Sequence, residues 1–137
     1  MKTMPAQVVH LAIERHWRDV YAFAGKPENI SRWASGLADG LSPDGDAWVA
    51  DGGPIGRIRV RFAPENDFGV IDHVVILEDG TEVQNALRVV PNGEGAEVMF
   101  TLLRQPGMDD AAFAADAAHV LKDLQTLKAL METEHVE

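Results

Sequence analysis

An α+β fold, with an antiparallel sheet against one long C-terminal helix, is predicted by three observations. Met108–Met131 (MDDAAFAADAAHVLKDLQTLKALM) places Phe113, Ala117, Val120, Leu121, Leu124, Leu127 and Met131 at spacings of three and four. This is one apolar stripe on a helix about 35 Å long. The chain from Ala47 to Arg104 reads as short alternating runs broken by Gly, Asp and Asn, which is the pattern of strands and turns. Strand, two short helices, several strands and a final helix is an order that builds an α+β layer rather than a parallel sheet. In a chain of 137 residues such a helix must lie against nearly everything else, and residues 1–137 read as a single domain with one core.

Taken in order, Gln7–Ile13 (QVVHLAI) is a β-branched apolar run that predicts the first strand. Helical spacing follows: Trp17, Val20, Tyr21 and Ala24 share a side, Gly25 closes the turn, and Pro27 suits the start of a second helix running towards Trp33. Residues 38–46 are rich in Gly, Asp and Pro and read as loop. AWVAD is a brief strand, and RIRVRF puts Ile58, Val60 and Phe62 on one side with Arg57, Arg59 and Arg61 on the other. GVIDHVVIL, TEVQNALRVV and AEVMFTLLR complete an antiparallel meander, reversed at Asp79-Gly80 and Asn92-Gly93. Pro106 and Gly107 set off the last helix, and Asp109 or Asp110 can cap it.

Composition narrows the functions. Twelve basic against 22 acidic residues give a net charge of -10, which repels nucleic-acid phosphates and anionic membranes alike. The absence of cysteine excludes disulfides, thiolate metal sites and cysteine nucleophiles. No signal peptide or membrane span is apparent at the N-terminus, so a cytoplasmic location is expected. His10, His16, His73, His119 and His135 lack metal-ligand spacing, and HExxH, GxSxG and Gly-rich phosphate motifs are missing. No metal and no cofactor is expected.

A two-residue turn at Asp79-Gly80 sets Glu78 opposite Thr81. Val70, Asp72, Val74 and Ile76 then share a face with Val83, Asn85, Leu87 and Val89. A four-residue loop at Pro91–Glu94 adds Val98, Phe100 and Leu102 to it. This face is assigned to the helix. Asp72 and Asn85 stand out among apolar neighbours: either they position or protonate a ligand, or Asp72 is satisfied by a backbone amide or an arginine and Asn85 by a strand edge. On the other face Arg88 is expected opposite Glu97, beside His73, Val75, Leu77 and Met99, a surface apolar enough to be covered by a second copy packed sheet to sheet or by a short helix folded back over it. A shift of one residue would exchange the faces and bring His73 and Arg88 inward. Trp33 and Trp48 fall where the opening of a cavity is expected, as ligand shields or as ordinary cover.

The stretches VVHLAIERHWRDVYAFAGKPENISRWASGL, NDFGVIDHVV, LRVVPNGEGAEVMFTLLRQPGMDD and FAADAAHVLKDLQTLKALME resemble the START-like, or SRPBCC, superfamily, specifically its small bacterial polyketide cyclase/dehydratase-like members. The resemblance spans almost the entire chain. It implies a helix-grip (START-like, Bet v 1-like) fold, a curved antiparallel sheet around the long helix enclosing a hydrophobic cavity. Members bind apolar ligands, cyclise or dehydrate polyketides, or assist other enzymes. It assigns no residue a role in this sequence.

The leading expectation is binding of a small, largely hydrophobic or aromatic molecule between sheet and C-terminal helix, by Trp33, Trp48, Asn85, Leu87, Arg88, Phe100, Phe113 and Val120. The alternatives are a cyclase/dehydratase-type enzyme using Asp72 or His73 for proton transfer, with Asn85 or Arg88 stabilising an enolate, and a non-catalytic homodimeric structural or regulatory protein.

Overall fold

The computed structural model describes residues 2–37 and 39–133. The strands are β1 (Ala6–Ile13), β2 (Ser42–Asp44), β3 (Ala47–Asp51), β4 (Arg57–Phe62), β5 (His73–Ile76), β6 (Glu82–Asn92) and β7 (Gly95–Leu103). The helices are α1 (Trp17–Ala24), α2 (Ile30–Trp33) and α3 (Asp110–Thr133). All strands join one seven-stranded antiparallel sheet in the order β1-β7-β6-β5-β4-β3-β2. Because β1 and β2 lie at opposite edges, the sheet is open. It packs against α3 in a helix-grip-like arrangement but is neither closed nor strongly curved, which corrects the expected wrap around the helix.

Local chemistry fixes the elements. The Asp109 carboxylate accepts the Ala112 N–H at 2.8 Å and so caps α3. Ala117, Leu124, Leu127 and Met131 bury the helical stripe, while Leu121, predicted to share it, stays 38 % exposed. Within the segment read as loop, Ser42–Asp44 adds β2 beside β3, where Arg59 on β4 holds Asp44 at 2.6 Å; Ala38 lies outside the described residues.

The β5–β6 hairpin departs from the two-residue expectation. Leu77 pairs with Thr81 instead, leaving Glu78, Asp79 and Gly80 as a three-residue loop. Only Gly80 takes positive φ, at 88°, so Asp79 is spared the left-handed conformation that a two-residue type I′ turn would impose. The freed Glu78 carboxylate accepts the Arg57 N–H at 2.7 Å, tying the hairpin to β4. The consequence is a shift of one residue: His73 pairs with Asn85, and Val75 with Val83. Every β5 side chain therefore changes face relative to the expectation. At the next reversal Asn92 pairs with Gly95, two residues tighter than expected, so β6 and β7 keep their predicted faces.

The core lies on the face formed by Val9 and Ile13 of β1, Leu87 and Val89 of β6, and Val98 and Leu102 of β7, closed by Val20 and Phe23 of α1 and the α3 stripe. Among the described residues, the extensive helix–sheet contacts fall on β1, β6 and β7. The same face continues across β5, β4 and β3, where Ala50, Ile58 and Val60 form a second, smaller buried cluster while Phe62, His73, Val75 and Asn85 remain half-buried.

Candidate functional site

A cavity of about 530 Å³ lies between α1 with its following turn and the strands β3 and β4. Its apolar walls are Tyr21, Pro27, Trp48, Phe62 and Ile71, and Arg18, Lys26, Asp46, Glu65 and Asp67 ring the opening. No α3 residue lines it, so this space is not the one expected beneath Met108–Met131.

One side is the connection from β4 to β5, organised by Asn66. Its Nδ2 donates to the Pro64 and Val70 carbonyls, each at 2.9 Å, and its Oδ1 accepts the Phe68 and Val70 N–H groups at 3.0 and 3.1 Å. The Asn66 N–H donates to the Tyr21 hydroxyl at 2.9 Å, which joins the connection to α1. Gly69, at φ 73°, lies so close to β6 that a Cβ there would stand 1.9 Å from the Val89 carbonyl oxygen. A side chain has no room at that position.

His73 neighbours the cavity through Phe62, with ring centroids 5.4 Å apart, and meets Phe100 edge-on at 6.3 Å. Its Nδ1 lies 3.0 Å from the Ile71 carbonyl. A carbonyl only accepts, so Nδ1 carries the proton and Nε2 is left as the acceptor of a neutral ring. Burial lowers the His73 pKa below the ordinary imidazole value, against the opposing pull of the Ile71 carbonyl and the Asp72 charge.

Asp72 falls on the opposite face, which corrects its expected inward placement. Its carboxylate accepts the Leu87 N–H at 3.0 Å and pairs with Arg88 through Oδ2 at 2.8 Å. Arg88 thus faces Asp72 rather than Glu97, and Glu97 instead meets His10 at 2.8 Å. Of the predicted contact residues, Trp48 lines the cavity and Asn85 sits beside His73 on the inner face. Trp33 and Leu87 are core residues, against which Phe100, Phe113 and Val120 pack half-buried. The Trp33 indole N–H is buried without a hydrogen-bond partner among the described residues. In the sequence Tyr21 and Phe62 carry only the pattern of structural residues, because the cavity they line depends on the β4–β5 connection, whose one sequence signal is Asn66 followed by Gly69.

Two other constellations have no comparable geometry. Ser35, His119 and Asp123 gather on the surface, but the Ser35 hydroxyl donates to Asp123 at 2.9 Å and the carboxylate lies on the same imidazole nitrogen as the serine. That arrangement tethers the segment after α2 to α3 and differs from a catalytic triad, in which the acid orients the far nitrogen. His135 lies outside the described residues, among which no group of three or more potential ligand side chains could hold a metal. No helix among them is long and apolar enough to cross a membrane.

No family model and no curated protein matches the chain. Solved structures do, across nearly its whole length. The Aha1 dimer from Colwellia psychrerythraea superposes with a TM-score of 0.74 at 12 % identity, covering 97 % of this chain and 100 % of that one. DynU16, from the dynemicin biosynthetic locus, gives 0.72 at 17 % identity over 93 % of this chain but only 47 % of its own, so the chain spans about half its length. CalU16 from Micromonospora echinospora gives 0.66 at 13 % identity, covering 94 % and 78 %. The chain therefore shares its architecture with several small helix-grip-like bacterial proteins, and at these identities the likeness concerns the fold alone.

Proposed function

We propose that the protein binds a small, largely apolar or aromatic molecule in the cavity between α1 and the β3–β4 part of the sheet. The observation that carries this reading is the half-covered aromatic wall of Trp48 and Phe62 in a space of about 530 Å³. Small-molecule sites typically measure roughly 300–1,000 Å³ and combine apolar walls with a few polar groups. The charged rim keeps the opening wet while the walls give up water to a ligand. Helix-grip-like architecture supports the reading at the level of fold.

Native mass spectrometry of gently purified protein, followed by solvent extraction, identifies a retained molecule. Titration with a naphthalene-based fluorescent dye supplies a probe independent of what co-purifies. Trp48→Ala is expected to weaken dye binding at least tenfold, whereas Lys122→Ala, on the outer side of α3, leaves it unchanged. Equal affinity in wild type and Trp48→Ala would remove the cavity from consideration.

A second reading, a cyclase/dehydratase-type enzyme, is favoured by His73, a neutral imidazole among aromatic rings whose Nε2 can take a proton. Asp72, bound to Arg88 and the Leu87 amide, has no part in that reading. Its test is hydrogen–deuterium exchange at the acidic carbon of a β-diketone probe. Wild-type acceleration that His73→Phe abolishes supports it; equal exchange in both proteins rejects it.

A further inference from the structure

The wall of the cavity carries two neutral hydrogen-bond donors whose protons go to no protein acceptor. Tyr21 on α1 and Trp48 on β3 both line the space and both are half-buried. The Tyr21 oxygen accepts the Asn66 N–H at 2.9 Å, and its own proton has no acceptor among the described residues. Neither has the Trp48 indole N–H, and an indole nitrogen can only donate. Asn66, the remaining neutral polar side chain of the wall, is spent: its Nδ2 donates twice and its Oδ1 accepts twice. A phenol oxygen conjugates one lone pair with its ring. Once the Asn66 amide has taken the other, what Tyr21 has left to offer is its O–H. That O–H prefers the ring plane, so an amide on one side of the oxygen directs the proton to the other.

Charge decides which kind of acceptor fits. The opening carries the carboxylates of Asp46, Glu65 and Asp67 against the cations Arg18 and Lys26. Arg18 stands 4.0 Å from Asp67 and over the Trp17 ring, which leaves Lys26 against Asp46 and Glu65. On a chain of net charge -10 such a rim lowers the local concentration of anions. A carbonyl supplies lone pairs without that penalty.

We propose that Tyr21 is a specificity-determining hydrogen-bond donor, whose hydroxyl, held by the Asn66 amide, takes the oxygen of a neutral carbonyl on an aromatic ligand. This rests on the reading of the cavity as a small-molecule site and names the class of molecule within it: an aryl ketone, ester or amide. The Asn66 contact orients the hydroxyl before the ligand arrives, and by donating to the oxygen it makes the O–H a stronger donor. Water occupies the same proton when the cavity is wet. The net gain is therefore that of one neutral hydrogen bond, roughly twofold to tenfold in affinity.

Displacement of the naphthalene-based dye gives affinities for acetylnaphthalene, ethylnaphthalene and naphthoate, three probes of nearly one shape that differ in the acceptor and its charge. Hydrophobicity favours the hydrocarbon in every protein, so the quantity compared is the ketone-to-hydrocarbon affinity ratio. Tyr21→Phe is expected to lower it roughly threefold to tenfold. Naphthoate should bind wild type more weakly than the ketone, by a margin that shrinks as salt screens the rim. Infrared difference spectra of acetylnaphthalene labelled at the carbonyl carbon add a readout that a merely structural role would not move. The bound C=O stretch should lie below its position in hexane with wild type and return towards it with Tyr21→Phe. An unchanged ratio in Tyr21→Phe, or a loss seen only in Trp48→Phe, overturns the inference and leaves the cavity reading standing. If no probe displaces the dye, the cavity reading falls and this inference falls with it.

Discussion

The two halves of the sheet's inner face are built from the same alternating pattern and end in different states. Under α1 and α3, Val20, Val89, Val98 and Leu127 have no exposed surface. Across β4 and β5, on the same face, Phe62, His73 and Val75 stay partly open. α1 and α3 pack over β1, β6 and β7, whereas over β3 and β4 a smaller buried cluster of Ala50, Ile58 and Val60 is packed by Leu37 and Leu41 and leaves its neighbours Phe62 and Val75 half-buried. Periodicity along a strand establishes which side chains point inward; whether anything stands above them is decided by elements distant in sequence. The main core and the open cavity therefore belong to different halves.

The sharpest way to break that division is to truncate one residue in each half. Leu127→Ala should cost about 3–4 kcal/mol in urea denaturation, because a fully buried leucine leaves a cavity. Phe62→Ala removes a larger side chain yet should cost only about 2 kcal/mol, since the ring is already partly wet, while dye affinity falls at least tenfold. Equal losses of stability would mean that the open half is covered in solution.

A smaller effect separates the two faces of β5. Asp72→Ala should cost roughly 1–2 kcal/mol by leaving the Leu87 amide unpaired. Arg88→Ala, which removes only a half-exposed ion-pair partner, should cost under about 1 kcal/mol. Chemical denaturation of both variants checks the ranking.

The smallest expected effect comes from His73. Folding lowers its pKa, so between the folded value and the ordinary value of about 6.5 the unfolded chain binds more protons. Its stabilisation is complete above that ordinary value and declines as pH falls through the window. Replacing it with Phe should flatten this part of the stability–pH curve, measured by thermal melts across the interval. An unchanged slope would mean that the imidazole is already wet and protonates freely.

Much of this architecture was legible in the residues. The spacing from Phe113 to Met131 gives α3, and Ile58, Val60 and Phe62 give the inner side of β4, because both patterns reflect a partner surface that is present. The β5 register was not legible. Asp79-Gly80 fits a two-residue turn by local preference, but Glu78 is engaged by the Arg57 amide on a strand more than twenty residues earlier. One long-range hydrogen bond thus accompanies a turn one residue longer, with His73 inward and Asp72 outward. The cavity at Trp48 and Phe62 was not legible for a related reason: its position depends on the β4–β5 connection folding back towards Tyr21, which no periodicity encodes.

Asn66 commits both side-chain polar atoms and its own amide to the frame of that connection. A connection held at so many points gives the cavity one fixed wall, and the proposed binding would begin from that wall already in place. Molecules would be sorted by whether they fit that wall, and capture would proceed at a rate set by collision and loss of hydration rather than by a closing flap. Loosening it with Asn66→Ala should accordingly broaden the range of accepted sizes and add a slow phase to binding.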